Sequence, residues 1–127
     1  MPSWRVIVLS SDTRSRESLA GLLLRQGMSI ACASTIRECQ ELLCKEAFGA
    51  VFCDRELSDG TYRDVLRALR SARSKTQVVL TSCQAEWDEY LEAIRSGAFD
   101  VIATPFQRVD VEWMVMQVMR EAKSVAA

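Results

Sequence analysis

Uninterrupted apolar runs recur along the chain, and most are followed by a segment whose apolar residues are spaced three or four apart. Residues 6–9, 50–53 and 78–80 are apolar throughout. Such runs are typical of strands buried on both faces, because a strand with one wet face alternates apolar and polar residues instead. The pattern predicts five strands, at residues 5–9, 28–33, 50–54, 77–81 and 101–103.

The segments that follow these strands have the spacing of amphipathic helices. The last is the clearest, with apolar residues at i, i+3, i+4, i+7 and i+8: Val111, Met114, Val115, Val118 and Met119. Thr35 followed by Glu38 predicts a capping box at the start of the second helix. Gly27 and Gly97 stand where left-handed residues end helices. The sequence therefore predicts five helices, one after each strand.

Five strands that alternate with five helices through short connections predict an α/β fold. Parallel neighbours need a crossover connection, and helices that make it cover both faces of the sheet. No repeat, linker or low-complexity segment interrupts the pattern. We therefore expect one domain over residues 1–127, with a doubly wound five-stranded parallel sheet.

Composition and charge exclude several classes of protein. The 127 residues are 49% hydrophobic and 26% charged, and the net charge of -1 disfavours nucleic-acid binding, which needs a basic excess. No apolar run approaches the roughly 20 residues of a membrane span, and the first residues lack the regions of a secretory signal. We expect a cytoplasmic domain that binds neither nucleic acid nor membrane.

The cysteines and the missing histidines limit the chemistry further. Five cysteines form an odd set without a C-x-x-C pair, and the chain has no histidine. A disulfide framework, a Cys/His zinc site and Ser-His-Asp catalysis are therefore not expected. We expect most of the cysteines to be small buried hydrophobic residues in a reducing compartment.

Polar residues end four of the predicted strands. Asp54 directly follows the apolar run 50–53, Ser10-Ser11-Asp12 follows the first strand, and Thr81 and Thr104 end the fourth and fifth. The carboxyl ends of parallel strands meet at one edge of a sheet, where ligands bind in open α/β folds. These side chains are the candidate functional site.

This constellation, in this order, resembles the receiver domain of bacterial two-component response regulators over essentially the whole chain. Asp54 matches the family's phosphoacceptor, Thr81-Ser82 its hydroxyl and small residue, and Gly97-Ala98 its Gly-Ala pair. Thr104-Pro105-Phe106 stands where the family has Lys-Pro-Phe. The resemblance implies a flavodoxin-like (βα)5 fold with strand order 2-1-3-4-5. It also implies protein partners, namely a histidine kinase, a phosphotransfer protein or an effector domain.

Two departures from the family concern charge. The acidic pair that holds Mg²⁺ in the family falls on Ser10 and Ser11, with Asp12 next in the chain, and the family's lysine falls on Thr104. The family's switch aromatic falls on Val101. Mg²⁺ prefers carboxylate oxygens, so one carboxylate with two hydroxyls makes a poor site. We expect no resident metal or other cofactor, and Mg²⁺ at Asp54 and Asp12 only if the chain is a conventional phosphoswitch.

Three functional hypotheses follow. The leading one is an atypical receiver domain that is no enzyme and acts as a protein-interaction module, with weak or no Mg²⁺-dependent phosphorylation at Asp54. The second is a conventional switch, with Asp54 as phosphoacceptor and Thr81 and Thr104 contacting the phosphoryl group. The third, a small α/β enzyme or nucleotide binder, is disfavoured because residues 10–13 contain no phosphate-cradling glycine.

Each candidate residue also has an ordinary structural interpretation. Asp54 could be an inert relic or a local loop former, and Asp12 a helix cap. Thr81 and Thr104 are ordinary strand-end hydroxyls unless Asp54 is modified. Asp59-Gly60 is most simply a turn.

A second line of residues on the last helix suggests a partner surface. Trp113, Met116 and Arg120 follow one another at i, i+3 and i+7, away from the apolar stripe. Trp87 and Val101 belong to the fourth helix and fifth strand, which in receivers form the usual dimer or effector face with the last helix. The alternative is that Trp113 lies along the edge of the core.

Overall fold

The computed structural model describes residues 4–83 and 86–126, with side chains described as far as Glu121. Seven strands and five helices follow one another in these residues. In chain order they are β1 (Arg5–Leu9), α1 (Thr13–Arg25), β2 (Ser29–Ala33), α2 (Ile36–Lys45), β3 (Ala50–Asp54), β4 (Glu56–Leu57), β5 (Gly60–Thr61), α3 (Tyr62–Ser71), β6 (Gln77–Ser82), α4 (Trp87–Ser96), β7 (Asp100–Ala103) and α5 (Arg108–Ala126).

Five of the strands form one parallel sheet in the order β2-β1-β3-β6-β7. Counting only these strands, this is the predicted doubly wound order 2-1-3-4-5, which is confirmed. β3 lies at the centre, with β1 on one side and β6 on the other. The register pairs Asp54 with Thr81 across β3 and β6, so both side chains reach the carboxyl edge together.

Two apolar layers cover the two faces of this sheet. Alternate residues of the central strands point to opposite sides, as the pleat requires. Ile7 and Val51 face α2, α3 and α4, whereas Val8 and Phe52 face α1 and α5. The predicted stripe of α5 packs into the second layer, and Val118 is fully buried there.

The segment after Asp54 is more ordered than the turn predicted from Asp59-Gly60. β4 and β5 pair antiparallel, with Leu57 opposite Gly60. The Asp59 carboxylate accepts the backbone N–H groups of Ile36 at 2.9 Å and Arg37 at 3.1 Å. A residue distant in sequence therefore supplies part of the N-terminal cap of α2 and joins the two loops at the sheet edge.

Local helix signals are mostly confirmed, with one correction. Gly27 and Gly97 have φ of 82° and 110°, the left-handed conformation predicted for them. Thr35 caps α2 by accepting the Glu38 N–H at 3.1 Å. Glu38 does not complete the predicted box, because its carboxylate accepts the Ser34 hydroxyl at 2.7 Å instead. The reciprocal capping box of α3 is formed by Thr61.

The expectation that most cysteines are buried is wrong. Cys39 and Cys53 are buried, but Cys32 in β2, Cys44 in α2 and Cys83, which follows β6, are exposed. All five are free thiols. Among the described helices, none is both long enough and apolar enough to cross a bilayer.

Candidate functional site

Asp54 is the point where the buried run of β3 meets solvent. Residues 50–53 are fully buried and Asp54 is half-buried, because the strand ends there and the chain turns toward the β4–β5 hairpin. The carboxyl ends of β1 and β6 flank it on either side. The sheet therefore carries the Asp54 carboxylate into the crevice expected from the strand order.

Two neutral hydroxyls hold the two oxygens of this carboxylate. Ser10 donates from Oγ to Asp54 Oδ2 at 2.7 Å, and Thr81 donates from Oγ1 to Asp54 Oδ1 at 2.8 Å. Ser10 and Thr81 are buried, with 3% and 6% of their surface exposed. The carboxylate is thus fixed by hydrogen bonds from both neighbouring strands, and neither donor carries a charge.

Ser10 is itself fixed by its surroundings. Its N–H donates to the Ala33 carbonyl at 3.0 Å, and its own carbonyl accepts from Arg16 Nη1 at 2.7 Å. Its Oγ also accepts the Asp12 N–H at 3.2 Å. This combination of backbone and side-chain contacts leaves the Ser10 hydroxyl aimed at Asp54.

The other two residues of the predicted acidic-pocket segment, Asp12 and Ser11, have different surroundings from Ser10. Asp12 is the N-cap of α1, where its carboxylate accepts the Arg14 N–H at 3.0 Å and the Ser15 hydroxyl at 3.3 Å. The interpretation of Asp12 as a helix cap is confirmed. Ser11 is exposed and is not among the residues that line the Asp54 cavity.

A cavity of about 280 Å³ opens over Asp54. The described residues that line it are Asp12, Ser15, Asp54, Arg55, Thr81, Ser82, Cys83, Glu89 and Thr104. The predicted residues Asp12, Asp54, Thr81 and Thr104 therefore do meet at one site. Thr104 is held at its edge by a backbone hydrogen bond from its N–H to the Ser82 carbonyl at 2.9 Å.

The sequence interpretation missed an ion pair at this cavity. Arg55 and Glu89 both line it, and the Arg55 guanidinium is bound to the Glu89 carboxylate, which also accepts the Ser82 hydroxyl at 3.4 Å. Arg55 could have been noticed because it directly follows Asp54. Glu89 could not, since only the packing of α4 brings it to the carboxyl edge.

The residues present do not fit a divalent metal. Across residues 4–83 and 86–121, no cluster of three or more His, Cys, Asp or Glu side chains is arranged to hold an ion. Three carboxylates lie at this site. Asp54 ends β3, whereas Asp12 caps α1 and Glu89 is bound to Arg55. Ser10 is a neutral ligand and a weaker one for a hard cation than a carboxylate.

Cys53 precedes Asp54 in β3, and its thiol is unreactive. Burial raises the pKa of its thiol well above the ordinary 9.0, and the nearby Cys39 and Asp54 raise it further. The Cys53 thiol donates to the Asp54 carbonyl at 3.1 Å. Cys53 therefore stays protonated and serves the packing of β3.

The predicted interface residues fall into two groups. Trp87 and Val101 line a cavity of about 360 Å³ beside β6, where Trp87 stacks on Tyr90 at 5.5 Å between ring centroids. Trp113 and Met116 are 58% and 62% exposed on α5, and Arg120 is exposed beyond them. Trp113 is thus largely exposed and belongs to neither of the two buried clusters. None of these three α5 residues is among the residues lining the Trp87 cavity.

Comparisons with known proteins agree with this architecture. A model of the response regulator receiver domain family matches residues 6–115. The response regulator protein PilR of Pseudomonas aeruginosa is 26% identical over 105 residues, which are 83% of this chain and 24% of PilR. The cell cycle transcriptional regulator CtrA of Caulobacter vibrioides is 25% identical over 122 residues, 96% of this chain and 53% of CtrA. The chain thus spans about a quarter to a half of the length of these relatives.

Solved structures show the same fold at lower sequence identity. The chemotaxis response regulator CheY4 of Vibrio cholerae superposes with a TM-score of 0.83 at 18% identity, covering 92% of this chain and 99% of CheY4. The beryllofluoride-activated NtrC4 receiver domain dimer gives a TM-score of 0.84 at 20% identity, covering 92% and 97%. With the family match over residues 6–115, the chain belongs to the response regulator receiver domains of two-component signal transduction.

Proposed function

We propose that this receiver domain acts as a protein-interaction module whose state depends little, or not at all, on Mg²⁺-dependent phosphorylation of Asp54. The observation that carries the proposal is the hydrogen bond from Ser10 Oγ to Asp54 Oδ2 at 2.7 Å. A neutral donor occupies the carboxylate oxygen on the β1 side. By the resemblance to the family, Ser10 stands where other receiver domains have a metal-binding acid.

The electrostatics of phosphoryl transfer support the proposal. An anionic donor must approach an anionic carboxylate, and a metal and a cationic side chain normally offset the charge that develops on the transferring group. Ser10 and Thr104 are neutral at the positions that the resemblance assigns to these two roles. Loss of one electrostatic contact of this kind can cost roughly 3–4 kcal/mol of transition-state stabilisation. Transfer to Asp54 is therefore slow.

Arg55 does not replace the missing charges. Its guanidinium lines the Asp54 cavity, but it is bound to Glu89, so its charge is offset within the same cavity. Asp12 and Asp54 add two further carboxylates to the lining. An approaching phosphodonor therefore meets net negative charge, which opposes its binding.

A conventional phosphoswitch is the second candidate, and one contact favours it. Thr81 donates to Asp54 Oδ1 at 2.8 Å, so its hydroxyl is already beside the carboxylate that would carry a phosphoryl group. This function requires Mg²⁺ to bind at Asp54 and Asp12, or a partner to supply the missing positive charge.

The partners that we propose are proteins, namely a histidine kinase, a phosphotransfer protein or an effector domain. Receiver domains are generally non-enzymatic signalling modules, and we extend this to the present chain. The proposed contact residues are Trp87, Val101, Trp113, Met116 and Arg120. A homodimer is one assembly that these residues could form. The beryllofluoride-activated NtrC4 receiver domain, which has the same fold, is a dimer, and this supports such an assembly. The predicted cytoplasmic location, and the absence of nucleic-acid and membrane binding, belong to the same proposal.

Intact-mass spectrometry tests the proposal. The domain and its Asp54→Asn variant are incubated with acetyl phosphate, with Mg²⁺ and with EDTA. We expect the same unmodified mass in all four samples. A stoichiometric phosphoryl adduct that needs Mg²⁺ and is missing from Asp54→Asn would establish the conventional switch instead.

A further inference from the structure

A third cavity, larger than the Asp54 and Trp87 cavities, lies at the opposite edge of the sheet from Asp54. It has a volume of about 580 Å³ and lies where β3 and β6 begin, between the C-terminal ends of α2 and α3. The length of β3 separates the two sites by roughly 16 Å, at about 3.3 Å per residue. We call it the amino-edge cavity. Its volume is within the range of about 300–1,000 Å³ that is typical of small-molecule sites.

The walls of the amino-edge cavity are largely apolar and include two aromatic residues. Trp4, Leu43, Phe48, Ala68 and Leu69 contribute to the lining. Phe48 and Leu69 are buried core residues with 6% of their surface exposed. A ligand with a flat apolar body can therefore exchange water for contact with aromatic and aliphatic groups.

Close packing fixes these walls. A Cβ atom on Gly49 would lie 2.3 Å from the six-membered ring of Trp4, so the indole rests directly on the Gly49 backbone. Thr76 Oγ1 donates to the Phe48 carbonyl at 2.7 Å, and the Gln77 N–H donates to the Gly49 carbonyl at 3.1 Å. The cavity is thus formed before any ligand arrives, which lowers the entropic cost of binding.

Among the described residues that line the cavity, one positive charge at the rim has no ion-pair partner. Glu46 lines the rim, but its carboxylate is bound to Arg5. Lys75 also lines the rim and forms no ion pair with any residue in the parts of the chain that are described. Gln40 and Gln77 add uncharged polar groups. The charge pattern is therefore complementary to an anion on an apolar body.

We propose that the amino-edge cavity binds a small aromatic carboxylate. Its ring lies among Trp4, Leu43 and Phe48, and its carboxylate pairs with the Lys75 ammonium. Binding is non-covalent and involves neither Asp54 nor a metal. The site lies at the other edge of the sheet from Asp54, so binding there is independent of phosphoryl chemistry. Because the walls belong to the folded state alone, the ligand also stabilises the fold.

An NMR titration of the ¹⁵N-labelled domain tests the proposal, with 2-naphthoate as the probe and uncharged 2-naphthamide as its isosteric comparison. We expect saturable shifts of the backbone amides of Ala47, Gly49 and Thr76. The amide analogue is expected to bind about fivefold more weakly, which is the size of a partly exposed ion pair. Absence of saturable shifts at these residues, or equal affinity for the two probes, would overturn the proposal.

Two variants and a matched control make the test specific. Lys75→Gln is expected to remove the preference for naphthoate, whereas Lys45→Gln, a nearby exposed lysine outside the lining, keeps it. Ala68→Leu fills the cavity from α3 with a good helix former and is expected to abolish binding of both probes. Unchanged affinities in Lys75→Gln, or in an Ala68→Leu variant with a native-like spectrum, would contradict the assignment.

Discussion

Ser10 of β1 and Asp54 of β3 are 44 residues apart in the chain and meet through a hydrogen bond of 2.7 Å. The serine is buried and donates to the carboxylate oxygen that faces its strand, while Thr81 donates to the other oxygen. A hydroxyl brings no charge to this contact. The Asp54 carboxylate is therefore held in place without the positive or metal-binding groups that phosphoryl transfer uses.

The Thr81–Asp54 hydrogen bond predicts a stability effect. Thr81→Val keeps the side-chain shape but removes the hydroxyl from both Asp54 Oδ1 and the Cys53 carbonyl. We expect a loss of about 1–2 kcal/mol in the free energy of unfolding, because a hydrogen bond to a charged group is lost. Urea denaturation measures it. Thr81→Ser, which keeps the hydroxyl, is the control, and an equal loss in Ser and Val would rule out this explanation.

The Asp59 cap of α2 predicts an acid-sensitive contribution to stability. Hydrogen bonds from the Ile36 and Arg37 N–H groups to its carboxylate lower the Asp59 pKa from the ordinary 3.8. The folded state therefore favours the ionised form of Asp59. The stability that this ionised cap contributes is complete above pH 3.8 and is lost as the pH falls through the lower pKa of the folded state.

Asp59→Asn removes this ionisation, so we expect the variant to be less stable than the wild type at neutral pH. The difference is expected to shrink as the pH is lowered below 3.8. Urea denaturation at several pH values follows both proteins. A difference that is constant over the whole range would show that the charge of Asp59 is not responsible.

Two glycines predict opposite effects of the same substitution. Gly97 ends α4 with φ of 110°, where an alanine is strained, so Gly97→Ala is expected to destabilise the fold by about 1–2 kcal/mol. Gly21 lies inside α1 with nothing within 4 Å of an added Cβ, so Gly21→Ala is expected to stabilise it by about 0.5–1 kcal/mol. Thermal unfolding compares the two variants, and shifts of the same sign would contradict this account.

The exposed residues of α5 predict a self-association surface. Trp113 is 58% exposed although it is a large aromatic residue, and such residues are common anchors of interfaces. We expect the wild type to dimerise and Trp113→Ala to weaken the dimer about tenfold or more, measured by sedimentation velocity. Leu24→Ala on α1, where Leu24 is equally exposed at 58%, is the control. A wild type that is monomeric at all concentrations would exclude the homodimer.

The sequence was sufficient for the strands of the parallel sheet and the five helices because apolar runs and helical periodicity are local signals, whereas the strand order was implied by the family resemblance. The buried runs of β1, β3 and β6 and the stripe of α5 need no knowledge of distant residues, and Gly97 ends its helix through its own conformation. The strand ends also predicted that Asp54 and Thr81 would meet, because parallel register brings them to one edge.

The remaining features depend on contacts between residues distant in sequence. The sequence around Asp59 predicts only a turn, because nothing local indicates that Asp59 caps α2 from 22 residues away. The pairing of Arg55 with Glu89 depends on how α4 packs. The exposure of Cys44 could not be inferred either, since its place in an apolar run does not determine which face of α2 it occupies. The amino-edge cavity likewise exists only in the assembled fold.

The central claim is that Asp54, bonded by neutral hydroxyls, forms no divalent metal site. An NMR titration of the ¹⁵N-labelled domain with Mg²⁺ tests it most directly, with Ser10→Asp as the comparison because that variant places a second carboxylate beside Asp54. Like charges at this distance destabilise each other until a cation binds between them. We predict saturable Mg²⁺-induced shifts at the amides of Asp54 and Thr81 in Ser10→Asp and none in the wild type. Saturable shifts at these amides in the wild type, lost in Asp54→Asn, would contradict the claim.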